Sequence, residues 1–242
     1  MTNEQWKIFS NFKADFKNQI QEWSIFNDEL KILQKNILEN EKTPPYPLEN
    51  PIVYNSALDE IESEDEIKII VLGDNPGKNE QLSKNQKYLV GQAGKLAESF
   101  FKNHTELKID FRKNAIILNK TPVHSAKTNE LKTIFKNASK PLQKMILDSQ
   151  IFMAEKTAIL SNELNAKIFL VGYSELKPNG FFEPFKTTLK NCVNDINQIL
   201  VFQHFSMNRF SIDLKSFMQK NPNLSLSDSI LRLGLLHQKE FF

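Results

Sequence analysis

The sequence predicts a three-layer α/β/α sandwich with a central four-stranded parallel sheet and a helical extension at its N-terminus. Three observations predict it. Four short apolar runs, at 67–72, 115–118, 168–171 and 199–202, have the length and the Ile, Val, Leu and Phe content of buried strands. Helix-like stretches at 93–102, 131–163 and 176–193 separate them, and strand alternating with helix implies parallel pairing with helices on both faces. The first 40 residues repeat apolar side chains at helical spacing.

In chain order, Trp6, Phe9, Phe12, Phe16 and Ile20 fall three and four residues apart and share one helical face. Trp23, Phe26, Leu30, Leu33 and Ile37 continue the pattern. Thr43-Pro44-Pro45-Tyr46-Pro47 breaks it, because proline fixes φ and removes a donor. Residues 1–50 therefore read as a helical extension packed on a main domain at 51–242. Ligands of such sheets bind beyond the carboxyl ends of the strands, so chemistry is sought just after each apolar run.

Composition narrows the classes. Forty per cent hydrophobic and 25% charged residues are ordinary for a soluble globular chain and exclude a disordered or fibrous one. No apolar run approaches the roughly 20 residues that span a bilayer, and the polar start Met1-Thr2-Asn3-Glu4-Gln5 lacks a signal-peptide pattern. The expected location is the cytoplasm, with no membrane partner. One cysteine, Cys192, excludes an internal disulfide and a four-cysteine metal or iron–sulfur site. Net charge is only +2, but ten Lys/Arg against three acids lie between Phe101 and Lys144, while six acids crowd residues 59–66. Such asymmetry could build a positive face for phosphates, or simply reflect solvated helix faces.

The strand ends carry an acid, two amides and a histidine. Gly73-Asp74-Asn75-Pro76-Gly77 follows the first run, Asn119-Lys120-Thr121-Pro122 the second, Gly172-Tyr173-Ser174 the third, and Gln203-His204-Phe205-Ser206-Met207-Asn208-Arg209 the fourth. Singly, each has a plain structural reading: a tight turn, a cap, a packed histidine. Their joint placement on one sheet edge carries the weight. A P-loop is excluded, because Gly73 and Gly77 have three residues between them and Lys78 precedes Asn79. A Gly-Asp-Ser esterase is excluded by Asn75 where its serine would stand.

In this order, G-D-N-P-G, then Tyr88-Leu89-Val90-Gly91-Gln92-Ala93-Gly94-Lys95-Leu96, then strand–Asn, then strand–His-x-Ser, the segment 67–210 resembles the uracil-DNA glycosylase superfamily. The second motif is similar to F-V-G-x-A-G-x-L of its iron–sulfur branch. The first is similar to the G-I-N-P-G and G-M-N-P-G loops of the mismatch-specific and single-strand-selective branches. The chain departs from the pattern in having one cysteine, Leu89 for the aromatic with Tyr88 beside it, and His204-Phe205-Ser206 for His-Pro-Ser.

The resemblance implies hydrolysis of the N-glycosidic bond of uracil or a related damaged base in DNA, by a monomer without cofactor or metal. It assigns Asp74, aided by Asn75, to the attacking water, and His204 to the charge that develops on the base. Gly73, Gly77, Tyr88 and Asn119 form the base pocket, with Tyr88 as stacking partner and Asn119 both donating to and accepting from the uracil edge. Gly77 stands where strict uracil enzymes carry tyrosine, which leaves room for 5-substituted bases. Lys120, Ser206, Met207, Arg209 and Phe210 are expected to face DNA, the last residues as a wedge into the gap left by the extruded base. Two other classes stay open: a catalytically silent relative that binds nucleic acid or a free base, and a small-molecule nucleotide hydrolase on a similar sheet.

Overall fold

A computed structural model describes residues 1–40 and 44–242. Thr43, the first residue of the proline-rich break, lies outside them. The sheet consists of β1 (Ile69–Gly73), β2 (Ala115–Asn119), β3 (Lys167–Val171) and β4 (Ile199–Phe202), in the order β2-β1-β3-β4, with every pair parallel. All four apolar runs are strands, displaced by no more than two residues at either end.

Alternate strand residues divide the core in two. Ile70, Leu72, Ile116, Leu118, Ile168, Leu170, Ile199 and Val201 pack against α1 (Asn3–Trp23), α2 (Asn27–Asn40), α4 (Thr128–Asn137), α5 (Lys140–Leu164) and α6 (Glu183–Cys192). Their neighbours Ile69, Val71, Ile117, Phe169, Leu200 and Phe202 pack against α3 (Gln92–Asn103), α7 (Arg209–Lys220) and α8 (Leu226–Phe241). A strand buried on both faces has no polar alternation to show, which is why each run is continuously apolar.

The extension has the predicted form. Thr2 and Gln5 make a reciprocal capping box at the start of α1, and Phe9, Phe12, Phe16 and Trp23 are buried against the layer of α5. The long 131–163 stretch is two helices: Ser139 caps α5 by accepting from the Leu142 N–H, and Pro141 in its first turn cannot continue the helix before it. The 176–193 stretch is also shorter than its pattern. Pro178-Asn179-Gly180 interrupts it, with Asn179 left-handed at φ 61°, so that α6 starts only at Glu183. Cys192 ends α6 and is exposed. Among the described residues no helix is long and apolar enough to cross a membrane.

Connecting β1 to β2 on one side and then crossing to β3 on the other creates a switch point between β1 and β3. There the departing loops diverge and open a crevice at the carboxyl edge.

Candidate active site

A cavity of about 530 Å³ occupies that crevice. Gly73, Asp74, Asn75, Gly77, Asn119, His204, Ser206 and Arg209 all line it. Every strand end contributes, so residues up to 136 positions apart (from Gly73 to Arg209) face one space.

Gly172 lies between Asp74 and His204. Its φ of +83° is left-handed, and a Cβ there would lie 3.2 Å from Asp74 Oδ1 and 3.4 Å from His204 Cδ2. Absence of a side chain lets the acid of the first loop and the histidine of the fourth approach across β3.

Asp74 is fixed from two sides. Lys120 Nζ donates to Oδ1 at 2.5 Å and Thr128 Oγ1 to Oδ2 at 3.0 Å. The other Lys120 donors reach Val171 O (3.2 Å) and Gly172 O (3.1 Å), and the ring of Phe182 lies 5.3 Å away. This corrects the expectation that Lys120 faces DNA. Its side chain is fully buried and all three ammonium protons are used within the protein. Burial lowers its pKa and the Asp74 carboxylate opposes that.

Asn75 donates through Nδ2 to Ser125 O (3.0 Å) and Oγ (2.9 Å), which leaves its oxygen as the end it can offer to the cavity. Behind this loop His124 is fully buried. Its Nδ1–H donates to Pro76 O at 2.8 Å, its Nε2 accepts from the Tyr46 hydroxyl at 3.0 Å, and burial holds its pKa down at about 4. Gln34 of α2 donates to the His124 carbonyl, so the N-terminal extension buttresses the loop.

His204 accepts at Nδ1 from the Ser206 N–H (3.1 Å), with Ser206 Oγ 2.8 Å away. A ring nitrogen that accepts a backbone N–H carries no proton, so the proton of the neutral ring resides on Nε2. Burial lowers the His204 pKa; Asp74 raises it, and Lys120 and Arg209 lower it further. The ring is therefore a neutral donor beside the cavity.

Two more expected residues, Tyr88 and Phe210, lie elsewhere. Tyr88 is 0% exposed and its hydroxyl donates to Val53 O at 2.5 Å; Leu89, left-handed at φ 51°, faces the cavity instead. The Gly94 backbone lies so close to the Leu89 carbonyl that a Cβ would fall 1.5 Å from it, which accounts for glycine at that point of the motif. Phe210 is buried among Phe100, Phe202 and Phe205 at centroid distances of 4.8–5.2 Å, so it anchors α7 and cannot act as a wedge. Met207 does stand out, 67% exposed, with Met207 and Asn208 both left-handed at φ 53° and 56°. The cations of 101–144 also build no single face. Lys102 lies on α3 and Lys136, Lys140 and Lys144 on the opposite layer, while Arg112 turns inward to the Tyr88 and Leu89 carbonyls.

Sequence reasoning missed Glu80, Thr128 and Tyr173. Glu80 lines the cavity although only 8% exposed, and its Oε2 accepts from the Gly77 N–H at 3.2 Å. Burial raises its pKa from 4.5 to about 7, against the lowering effects of the Gly77 and Leu89 N–H groups, Arg112 and Asn119. Tyr173 stacks on Phe241 (4.5 Å, 27°) and accepts from Gln203 Nε2 at its hydroxyl. Among the described residues no three His, Cys, Asp or Glu side chains cluster as a metal site.

Compared with family models, with curated proteins and with solved structures, the chain has no significant match.

Proposed function

We propose that the protein is a monomeric cytoplasmic DNA glycosylase of the uracil-DNA glycosylase type, hydrolysing the N-glycosidic bond of uracil or a related damaged base. The observation that carries the reading is the convergence at one cavity of a fixed carboxylate (Asp74), the Asn119 side chain, and the Nε2–H of His204, a donor without an acceptor among the described residues. Breaking C1′–N puts positive charge on the sugar and negative charge on the base. Donors held in place before that charge develops stabilise it without reorganisation. A water adds to C1′, the base leaves as its anion, and the water's proton passes to an acceptor such as Asp74 or to solvent.

The Lys120 ammonium compensates much of the Asp74 charge. Asp74 then acts mainly by orienting the water, since a carboxylate keeps acceptor sites beyond the two occupied by Lys120 and Thr128. Of the expected wedge, Met207, exposed on a left-handed backbone, and Arg209 remain at the surface. Arg209, exposed at the same rim, suits a phosphate.

The test is cleavage of a labelled oligonucleotide carrying one uracil, single- and double-stranded, followed by alkali. Breaks with the wild type and far fewer with His204→Ala or Asp74→Ala support the proposal. No breaks with the wild type on uracil or on 5-substituted and deaminated bases refute it. The Asp74–Lys120 pair favours a second reading, the silent base-binding relative, for which binding without cleavage is the expected outcome.

A further inference from the structure

A second cavity, of about 690 Å³, lies as a groove between α3 and α7. Leu96, Phe100, Leu214 and Met218 give it an apolar floor, with Ser99 and Lys215 among the polar residues of its walls. It adjoins the catalytic cavity along both helices. α3 begins with Gln92 and Ala93, which line the catalytic cavity, and one turn further on its side chains line the groove. At the start of α7, Arg209 lines the catalytic cavity and its neighbour Asn208 lines the groove.

Positive charge along this groove is left uncompensated. Lys95 and Lys102 stand four residues before and three after Ser99, on one exposed stripe of α3, and exposed Lys215 faces them from α7. Among the described residues these three lysines and Arg209 have no acidic partner. The acids of the two helices are engaged elsewhere: Glu98 accepts from Arg112 Nε at 3.2 Å, and Asp213 lies 3.7 Å from the His237 ring of α8. Glu106, beyond the far end of α3, stands 3.3 Å from the His104 ring.

An apolar floor between basic walls suits a nucleic-acid strand whose bases are unpaired, with base faces on the floor and phosphates at the lysines. A duplex keeps its base faces inside the stack and has nothing to lay on the floor. We propose that the α3–α7 groove is a track for single-stranded DNA leading away from the catalytic cavity, so that the substrate is a single strand rather than a duplex. The proposal rests on the nucleic-acid reading of the catalytic cavity, but it does not require excision. The 12 residues of α3 extend about 18 Å, enough to engage a few nucleotides to one side of the target.

Binding of DNA without uracil tests it apart from catalysis. Fluorescence anisotropy of an end-labelled oligodeoxynucleotide, single-stranded and annealed, is measured from about 50 to 200 mM salt. The proteins are wild type, the double variant Lys102→Gln with Lys215→Gln, and a control, Lys136→Gln with Lys140→Gln, which removes the same charge from exposed sites on the opposite layer. All of these lysines are exposed, so the fold is not at stake. The wild type is expected to bind the single strand at least about tenfold more tightly than the duplex. The groove variant is expected to lose about fivefold or more, and its slope of log affinity against log salt to flatten by about 1.4, at about 0.7 for each phosphate contact. The control is expected to stay within about twofold of wild type. No single-strand binding by the wild type, a duplex bound as tightly, or equal losses in the two double variants overturns the proposal. Groove-dependent binding without uracil excision upholds the track and counts against the glycosylase; excision without groove-dependent binding keeps the glycosylase and overturns the track.

Discussion

Replacing Glu80 with glutamine should stabilise the protein, by an amount set by pH. Burial lifts the Glu80 carboxyl from 4.5 to about 7 in the folded chain. A carboxyl whose folded pKa is raised favours folding while it is protonated, below 4.5, and that stability is lost as pH rises through about 7. The shift corresponds to about 3 kcal/mol. Glutamine cannot ionise. Glu80→Gln should therefore match wild type near pH 4 and exceed it by about 3 kcal/mol at pH 8. His124 acts in the opposite sense. Its pKa falls from 6.5 to about 4 on folding, so its contribution is complete above 6.5 and is lost as pH falls toward 4. The two windows overlap and offset each other in wild type. In the glutamine variant the His124 contribution is unmasked, and stability should rise across that window. Urea unfolding of both proteins at intervals from pH 4 to 8 is the assay. A stability difference that stays constant within about 1 kcal/mol across this range would refute the assignment of a buried, ionising carboxyl at Glu80.

Three further outcomes follow from the same geometry. Gly172→Ala places a Cβ against Asp74 and His204 on a left-handed backbone; it should cost about 1–2 kcal/mol in urea unfolding and abolish most excision, whereas normal activity would show that the two groups need not approach. Lys120→Met keeps the buried volume but leaves Asp74 without its ion pair, with an expected loss of about 3 kcal/mol. Asp74→Asn in that background should restore part of this loss, and strictly additive values in the double-mutant cycle would argue against coupling. His204→Ala should lower the rate of uracil excision about a hundredfold in single-turnover kinetics, with oligonucleotide affinity little changed; an unaltered rate would remove the histidine from the chemistry.

The sheet, the extension and the edge that holds the site were all legible in the sequence, because buried strands and amphipathic helices leave periodic traces. Burial of particular side chains was harder to see. Tyr88 and Leu89 are neighbours, and only the left-handed turn at Leu89 decides which of them meets the cavity. Lys120 is one of many lysines, and no local pattern marks the one whose ammonium is enclosed. Phe210 follows the exposed Arg209 and looks like a lip residue until α7 turns it inward. Glu80 stands three residues beyond Gly77 in a segment without regular periodicity, so only the folded chain brings it beside Asn119. The uneven charge of 101–144 was real in sequence but dispersed in space, because a crossover sends its two halves to opposite faces.

The position of the lone thiol has a practical consequence. Every cavity-lining group comes from the carboxyl edge of the sheet, whereas α6 runs back toward the other edge and ends at exposed Cys192, ahead of β4. Maleimide chemistry on the unaltered chain would thus attach a single dye or surface tether at the far end of the molecule from the cavity. Immobilisation in one orientation with the cleft facing solution requires no engineered residue.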